Sequence, residues 1–266
     1  MPPSLHNSEP DPAIAGETTR DGFLDGKITI IQPKSGPRGA IDALFLAASI
    51  PAKAGERALD MGAGTGLVGV AMAWRVPGLD VTCIERQADL CGLAEENLTI
   101  NGLEERARIV RADITAPANS LQSDGLMLES FHHLAANPPF FVEGAARTPR
   151  EPAKALSHVA EPGALAAWIR FAAAMAAPRG TLTLIHRPDA LSDILTEMEG
   201  RFGGLKVLAL HPARGERASR IIVQGTKGSR APLQLYDGLV LHEAGGCYTP
   251  RADAVLREGR TLEIAE

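Results

Sequence analysis

Apolar residues fall along this chain in short blocks that alternate between two spacings. Arg57 to Met61, Asp80 to Glu85 and Ala107 to Ala112 read as brief apolar strands, each ending on or beside a charged residue. Between them, Leu67 to Arg75, stopped by Pro77, and Ala88 to Asn101, closed by Gly102, have the length and periodicity of helices. Strand and helix alternating through short links predict right-handed βαβ units and a parallel sheet. A further strand ends in Leu134-Ala135-Ala136; after it come a helix near Ala164 to Ala177, a strand at Thr181 to His186 and a helix at Ala190 to Phe202. Leu205 to Leu210 and Ile221 to Gln224 then read as two apolar strands joined by a polar loop, an antiparallel pair. Ahead of the alternating region stand a strand candidate at Lys27 to Ile31, a turn at Gly36-Pro37 and an apolar stretch of helical length from Ala40 to Ile50.

Composition adds limits to this α/β reading. Residues 1–20 are rich in Pro, Ser and acid without periodicity and are expected to form a disordered tail. Residues 21–230 then make one domain, and residues 231–266 a C-terminal extension with no assigned role. The three cysteines, Cys83, Cys91 and Cys247, are odd in number and not spaced as zinc ligands. They point to a reducing compartment, and no metal site is expected. No apolar stretch approaches the roughly 18 residues that span a bilayer, and the first residues lack a basic start; the expected location is cytoplasmic. Net charge is −5, which argues at first against a polyanionic partner. Yet Arg201, Lys206, Arg214, Arg217, Arg220, Lys227 and Arg230 share one segment with only Glu216. That segment is either a solvated edge or a docking surface for phosphates.

Chemistry is carried by two motifs. The first is Asp60-Met61-Gly62-Ala63-Gly64-Thr65-Gly66-Leu67, a strand ending on an acid and breaking into a glycine loop at a helix N-terminus. A literal G-x-G-x-x-G is present as Gly64 to Gly69, with Glu85 at a suitable distance for a ribose-binding acid, so a dinucleotide site is a real rival. Three details oppose it. The tight turn starts at Gly62, so the third glycine of the dinucleotide pattern would have to be Leu67. An acid at Asp60 sits badly beside a pyrophosphate but well beside a cationic amino acid and sulfonium. A dehydrogenase has no use for the second motif, Asn137-Pro138-Pro139-Phe140. Together the two motifs look like the cofactor site and catalytic loop of an S-adenosylmethionine (SAM) dependent amino methyltransferase.

That resemblance implies roles. Asp60 is expected near the methionine end of SAM, with Gly62, Ala63, Gly64 and Gly66 letting the backbone approach the cofactor. Glu85, followed by Arg86, should accept from both ribose hydroxyls, and Asp113, preceded by Ala112, from the adenine amino group. In the second motif, the Asn137 side-chain oxygen and the Pro138 carbonyl can each accept one N–H of an exocyclic amine. The nitrogen is then drawn towards tetrahedral geometry and its lone pair aimed at the methyl group, by positioning and electrostatics without a strong base. The prolines hold the loop extended, and Phe140 can stack on a flipped base. His132 and His133, adjacent on a strand, face opposite ways and are read as structural. Arg147, Arg150 and Lys154 follow the loop either as phosphate contacts or as a solvated helix end.

From Asp21 to Lys227 the chain resembles the bacterial tRNA adenine-N6 methyltransferases that modify the adenosine 3′ of the anticodon in a valine tRNA. The lead-in Gly26-Lys27-Ile28-Thr29-Ile30-Ile31-Gln32-Pro33 and the run Ile41 to Ala48 belong to this resemblance. It implies a Rossmann-like SAM-dependent methyltransferase fold, a seven-stranded mostly parallel sheet with an antiparallel terminal hairpin. It also implies RNA as the partner, N6-methyladenosine as the product, and a cofactor contact from Asp42. Arg214, Arg217 and Arg220, in the hairpin loop, are the expected RNA contacts. Two positions depart from the family: Pro37 stands where an aromatic residue is usual, and Phe140 where Tyr is more frequent. The latter brings the loop closer to ribosomal-RNA guanine-N2 methyltransferases. Glutamine-N5 methyltransferases of proteins use the same loop, but usually carry a separate helical substrate domain before the SAM site.

Overall fold

The computed structural model describes residues 17–35, 38–116, 121, 125–139 and 163–264. An antiparallel hairpin, β1 (Thr18–Phe23) and β2 (Ile28–Pro33), leads into α1 (Ile41–Ser49). The alternating region follows as β3 (Arg57–Met61), α2 (Leu67–Arg75), β4 (Asp80–Glu85), α3 (Ala88–Ile100) and β5 (Ala107–Arg111). Then come β6 (Phe131–Ala136), α4 (Ala164–Met175), β7 (Ala176–His186), α5 (Leu191–Met198), β8 (Phe202–Ala213), β9 (Arg220–Lys227), β10 (Gln234–His242) and the short α6 (Pro250–Asp253). No helix among the described residues is long and apolar enough to cross a membrane.

Strands β3 to β10 form one sheet in the order β5-β4-β3-β6-β7-β9-β8-β10. Neighbours are parallel except for the two pairs made by β9. Alternation in β3 explains how the sheet is sandwiched. Ala58 faces the side of Val81, Cys83 and Ala135, covered by Leu44, Phe45, Val70 and Met72 of α1 and α2. Leu59 and Met61 face the opposite side with Ile84, Leu134 and Leu182, covered by Ile169, Phe171 and Ile194 of α4 and α5. Strands buried on both faces read as short continuous apolar runs, which is why β3, β4 and β6 were visible in the sequence.

Among the described residues the sheet has eight strands where seven were expected, because β10 adds itself in parallel outside β8. The antiparallel pair β8–β9 is present but is therefore not terminal. The apolar pattern of β10 is interrupted by Asp237-Gly238, where the register slips between Tyr236 and Leu239. Gly238 is dictated by packing: a Cβ there would collide with the imidazole of His211. The extension is continuous with the core, since Leu239, Leu241, Val255, Leu256, Leu262 and Ile264 pack with α1 and α2. Arg75 fastens it, donating to Thr261 Oγ1 as well as to the carbonyls of Ala47 and Ile50. Burial of this guanidinium lowers its pKa from the usual arginine value.

β1 begins at Thr18, inside the stretch expected as a tail; residues 1–16 lie outside the described residues. It is polar and half-exposed, and is organised by Asp21, which accepts from Gln32 Nε2 at 2.9 Å and pairs with Arg38 at 2.6 Å. β7 starts at Ala176, earlier than the expected Thr181, because Ala176 pairs with Phe131 across an irregularity in β6. α5 ends at Met198, before the expected Phe202, and Gly200 leaves it with φ of +74°.

Candidate active site

Register places the two sequence motifs side by side. Met61 is level with Ile84 on β4 and with Ala136 on β6. The next residues along these neighbouring strands are Gly62, Glu85 and Asn137, so the glycine loop, an acid and the Asn-Pro-Pro loop leave the sheet in one row. Adjacent members are about 4.8 Å apart by strand spacing. This is the carboxyl edge of the parallel strands, where open α/β sheets bind ligands.

The glycine loop needs its glycines. Gly62, Gly64 and Gly66 have φ of +66°, +59° and +84°, the left-handed region that costs an L-residue about 1–2 kcal/mol. Gly62 has a second requirement, because a Cβ would collide with the indole of Trp168 on α4. Ala63 donates to the Ile84 carbonyl at 2.8 Å, and Gly66 forms the N-cap of α2.

Three of the acids expected at the site behave differently from one another. Glu85 is buried, and its carboxylate is oriented by backbone donors: Oε2 accepts from Gly64 at 2.9 Å, Oε1 from Arg86 and Gln87 at 2.8 and 2.9 Å. A carboxylate offers about four lone-pair sites, so acceptor capacity remains beyond these three bonds. Asp60 acts from below the loop: it is buried and accepts from the Gly69 N–H at 3.1 Å, inside the first turn of α2. Asp60 faces the α2 side of β3. Burial, opposed by the Gly69 bond and assisted by the charge of Glu85, raises its pKa to about 7. Asp113 is exposed just beyond β5; partial burial raises its pKa, but two hydrogen bonds from Thr115 hold it below the usual value.

Asn137 is exposed, Pro138 buried and Pro139 half-buried. Two successive prolines keep Asn137 and Pro138 extended, each being restricted by the proline after it. Phe140, Arg147, Arg150 and Lys154 lie outside the described residues. His132 and His133 sit at the start of β6, away from the carboxyl edge. Nδ1 of His132 accepts from Arg57 N–H, while His133 contacts Thr181 and Glu56, each at 2.9 Å.

Asp42 lies in the first turn of α1. Its Oδ2 accepts from Arg220 Nε at 2.7 Å, tying the first turn of α1 to the start of β9. Arg220 itself opens β9 instead of lying in the hairpin loop. Arg214 and Arg217 are in that loop, exposed and on the carboxyl edge. The rest of the basic segment is dispersed. Arg201 and Lys227 lie at the opposite edge, where Lys227 pairs with Glu129 at 2.8 Å and Arg201 donates to the Glu197 carbonyl. Trp168 was not identified from the sequence, since one Trp in an alanine-rich helix carries no signal beyond burial.

The residues present fit SAM on structural grounds: side-chain-free backbone at Gly62 and Gly64, an oriented carboxylate at Glu85, and a buried acid at Asp60 whose ionised form a nearby cation would stabilise. Fold and site together define a Rossmann-like methyltransferase. Residues 40–167 match the methyltransferase small domain. A solved structure described as a predicted O-methyltransferase of Agrobacterium tumefaciens is 33% identical, with a TM-score of 0.70, covering 83% of this chain and 97% of that one. A tRNA1(Val) (adenine(37)-N6)-methyltransferase of Aeromonas hydrophila is 24% identical over 86% of this chain and 93% of its own length. A release factor glutamine methyltransferase of Chlorobaculum tepidum is 30% identical, over 52% of this chain and 47% of its own length. The chain belongs to the SAM-dependent methyltransferases, and SAM, not a dinucleotide, is its cofactor.

Proposed function

We propose that the protein transfers a methyl group from SAM to the exocyclic N6 of an adenine in RNA, with tRNA as the substrate, and acts in the cytoplasm. The observation that carries this reading is the row Glu85, Gly62, Asn137, which sets an amine-gripping loop beside the cofactor loop. The Aeromonas relative, matched over nearly its whole length, supports adenine in tRNA as the acceptor; the glutamine methyltransferase is matched over less than half of its length.

SAM supplies an electrophilic methyl on a sulfonium, and the chain supplies orientation. Glu85 holds the ribose through the lone pairs that its three backbone donors leave free, and Asp113 receives the adenine amino group. Asn137 Oδ1 and the Pro138 carbonyl accept the two N–H bonds of the acceptor amine, localising its lone pair. Phe140 stacks on the acceptor base. The released proton leaves to solvent after transfer, so no strongly basic side chain is required. Arg214 and Arg217, with Arg147 and Arg150 beyond the catalytic loop, contact RNA phosphates.

To test the acceptor class, the protein is incubated with methyl-labelled SAM and separate bacterial RNA and protein fractions. Label should enter the RNA and be released by ribonuclease; label confined to protein would favour the glutamine reading. Replacing Arg214 and Arg217 together by Gln should raise KM for RNA and flatten the log–log salt slope by about 1.4–1.8 units, with SAM affinity and Tm unchanged. An unaltered slope would place docking elsewhere.

Asp60 gives the cofactor site a pH dependence. Its folded-state pKa of about 7 lies above the ordinary carboxylate value. The stability contributed by its neutral form is therefore complete below about pH 4 and lost as the pH rises through 7. A cation bound over the loop favours the ionised form, so binding releases a proton and SAM affinity should rise between about pH 6 and 8. Calorimetry across that range should show the rise in the wild type and a flatter curve in Asp60→Asn. Identical profiles would remove Asp60 from the linkage.

A further inference from the structure

Asn97 on α3 and Asn101 at its C-cap hold β2 in a way that sequence patterning does not display. Asn97 Oδ1 accepts from the Ile31 N–H at 2.7 Å and its Nδ2 donates to the Ile31 carbonyl at 2.9 Å. Asn101 repeats this on Thr29, at 2.9 and 2.7 Å. The match is geometric: residues four apart on a helix rise about 6 Å, and residues two apart on a strand about 6.8 Å. The two amides thus imitate a neighbouring strand and carry the edge of β2.

The pair is symmetrical except in the remaining amide hydrogen. In Asn101 it returns to the Asn97 carbonyl at 2.7 Å; in Asn97, which is fully buried, it reaches the Thr65 carbonyl at 2.9 Å. Thr65 is the residue between Gly64 and Gly66, both with positive φ. Glycine lets the peptide it flanks rotate at little steric cost, and a donor fixed on a packed helix removes that freedom. The lead-in also packs against Leu67, the first residue of α2 after this loop. A Cβ on Gly39 would lie 2.6 Å from Cδ2 of Leu67, and Gly39 N–H is held by Gln32 Oε1 at 2.6 Å.

We propose that Asn97 is a positioning residue for the cofactor: it fixes the Thr65–Gly66 peptide in its SAM-binding orientation and couples docking of the β1–β2 hairpin to the shape of the glycine loop. Asn101 docks the hairpin alone. The inference rests on the SAM reading of the loop and not on the identity of the acceptor.

Asn101 is the built-in control. Asn97→Ala and Asn101→Ala each remove a two-bond backbone contact to β2 and should each lower Tm. Only Asn97→Ala should weaken SAM, by about tenfold in Kd, the scale of one lost buried hydrogen bond. KM for SAM should follow, while kcat at saturating SAM stays within a few-fold. Amide exchange at Gly66 should accelerate in Asn97→Ala and not in Asn101→Ala at equal displacement from Tm. If Asn97→Ala does not fold, Asn97→Ser, which leaves a polar group against Ile31 but cannot reach Thr65, takes its place in the same comparison. Equal weakening of SAM by both variants, or none by either, would overturn the proposal. A wild-type protein that binds no SAM would overturn the cofactor assignment itself and this inference with it.

Discussion

Asn137→Ala is expected to lower turnover by about a thousandfold while leaving SAM affinity within about threefold of wild type. The size follows from the role of the side chain, since a preorganised polar group that acts on charge developing in the transition state is worth about 10²–10³ in kcat. Withdrawal of the acceptor oxygen also returns the amine lone pair to its ring. The selectivity follows from position. Asn137 is exposed, so its truncation leaves no buried polar group unpaired, and Tm should not move. It leaves β6 and not the glycine loop, so cofactor binding is spared. Single-turnover kinetics with SAM calorimetry measure both effects. Parallel loss of SAM affinity and turnover would make the loop a structural support of the cofactor pocket.

Gly62→Ala should be the most damaging substitution in the cofactor loop. It places an L-residue at φ of +66° and drives a methyl group into the Trp168 indole. Left-handed strain and overpacking together predict a loss of about 2–4 kcal/mol in stability. SAM binding should weaken at least a hundredfold, because the loop that would receive the cofactor must move to release the clash. Adding Trp168→Ala removes the collision but not the φ strain. The double variant should therefore recover part of the SAM affinity of Gly62→Ala without reaching wild type. Denaturant titration and calorimetry on the single and double variants check this; no recovery would mean that the indole contact is incidental.

The parts of this site that were legible in the sequence are those whose cause is local. Gly62, Gly64 and Gly66 announce themselves because a positive φ favours glycine whatever lies nearby. Glu85 and Asn137 were located because β4 and β6 are buried on both faces and therefore end visibly. What escaped depends on partners distant in sequence. Trp168 is recognisable only once α4 is seen against Gly62, and Asn97 only once Ile31 and Thr65 are seen around it. β1 is polar, and its order comes from Asp21, Gln32 and Arg38. The basic segment is contiguous in sequence but divided in space, for a topological reason. The β8–β9 hairpin carries Arg214 and Arg217 at its turn, but Arg201 and Lys227 stand at its open end. The eight residues of β9, at about 3.4 Å each, put roughly 25 Å between the two ends. Asp42 was given a cofactor contact from resemblance and Arg220 an RNA contact from the clustering of cations; neither signal shows that the two side chains form an ion pair with each other.

The atom that receives the methyl group decides most directly whether the protein is an RNA adenine methyltransferase. Unmodified bacterial tRNA is incubated with the protein and SAM labelled in its methyl group, digested to nucleosides and resolved by mass. N6-methyladenosine is the predicted product, present with the wild type and absent with Asn137→Ala. Label recovered as N2-methylguanosine, or no nucleoside labelled by a protein that binds SAM normally, would contradict it.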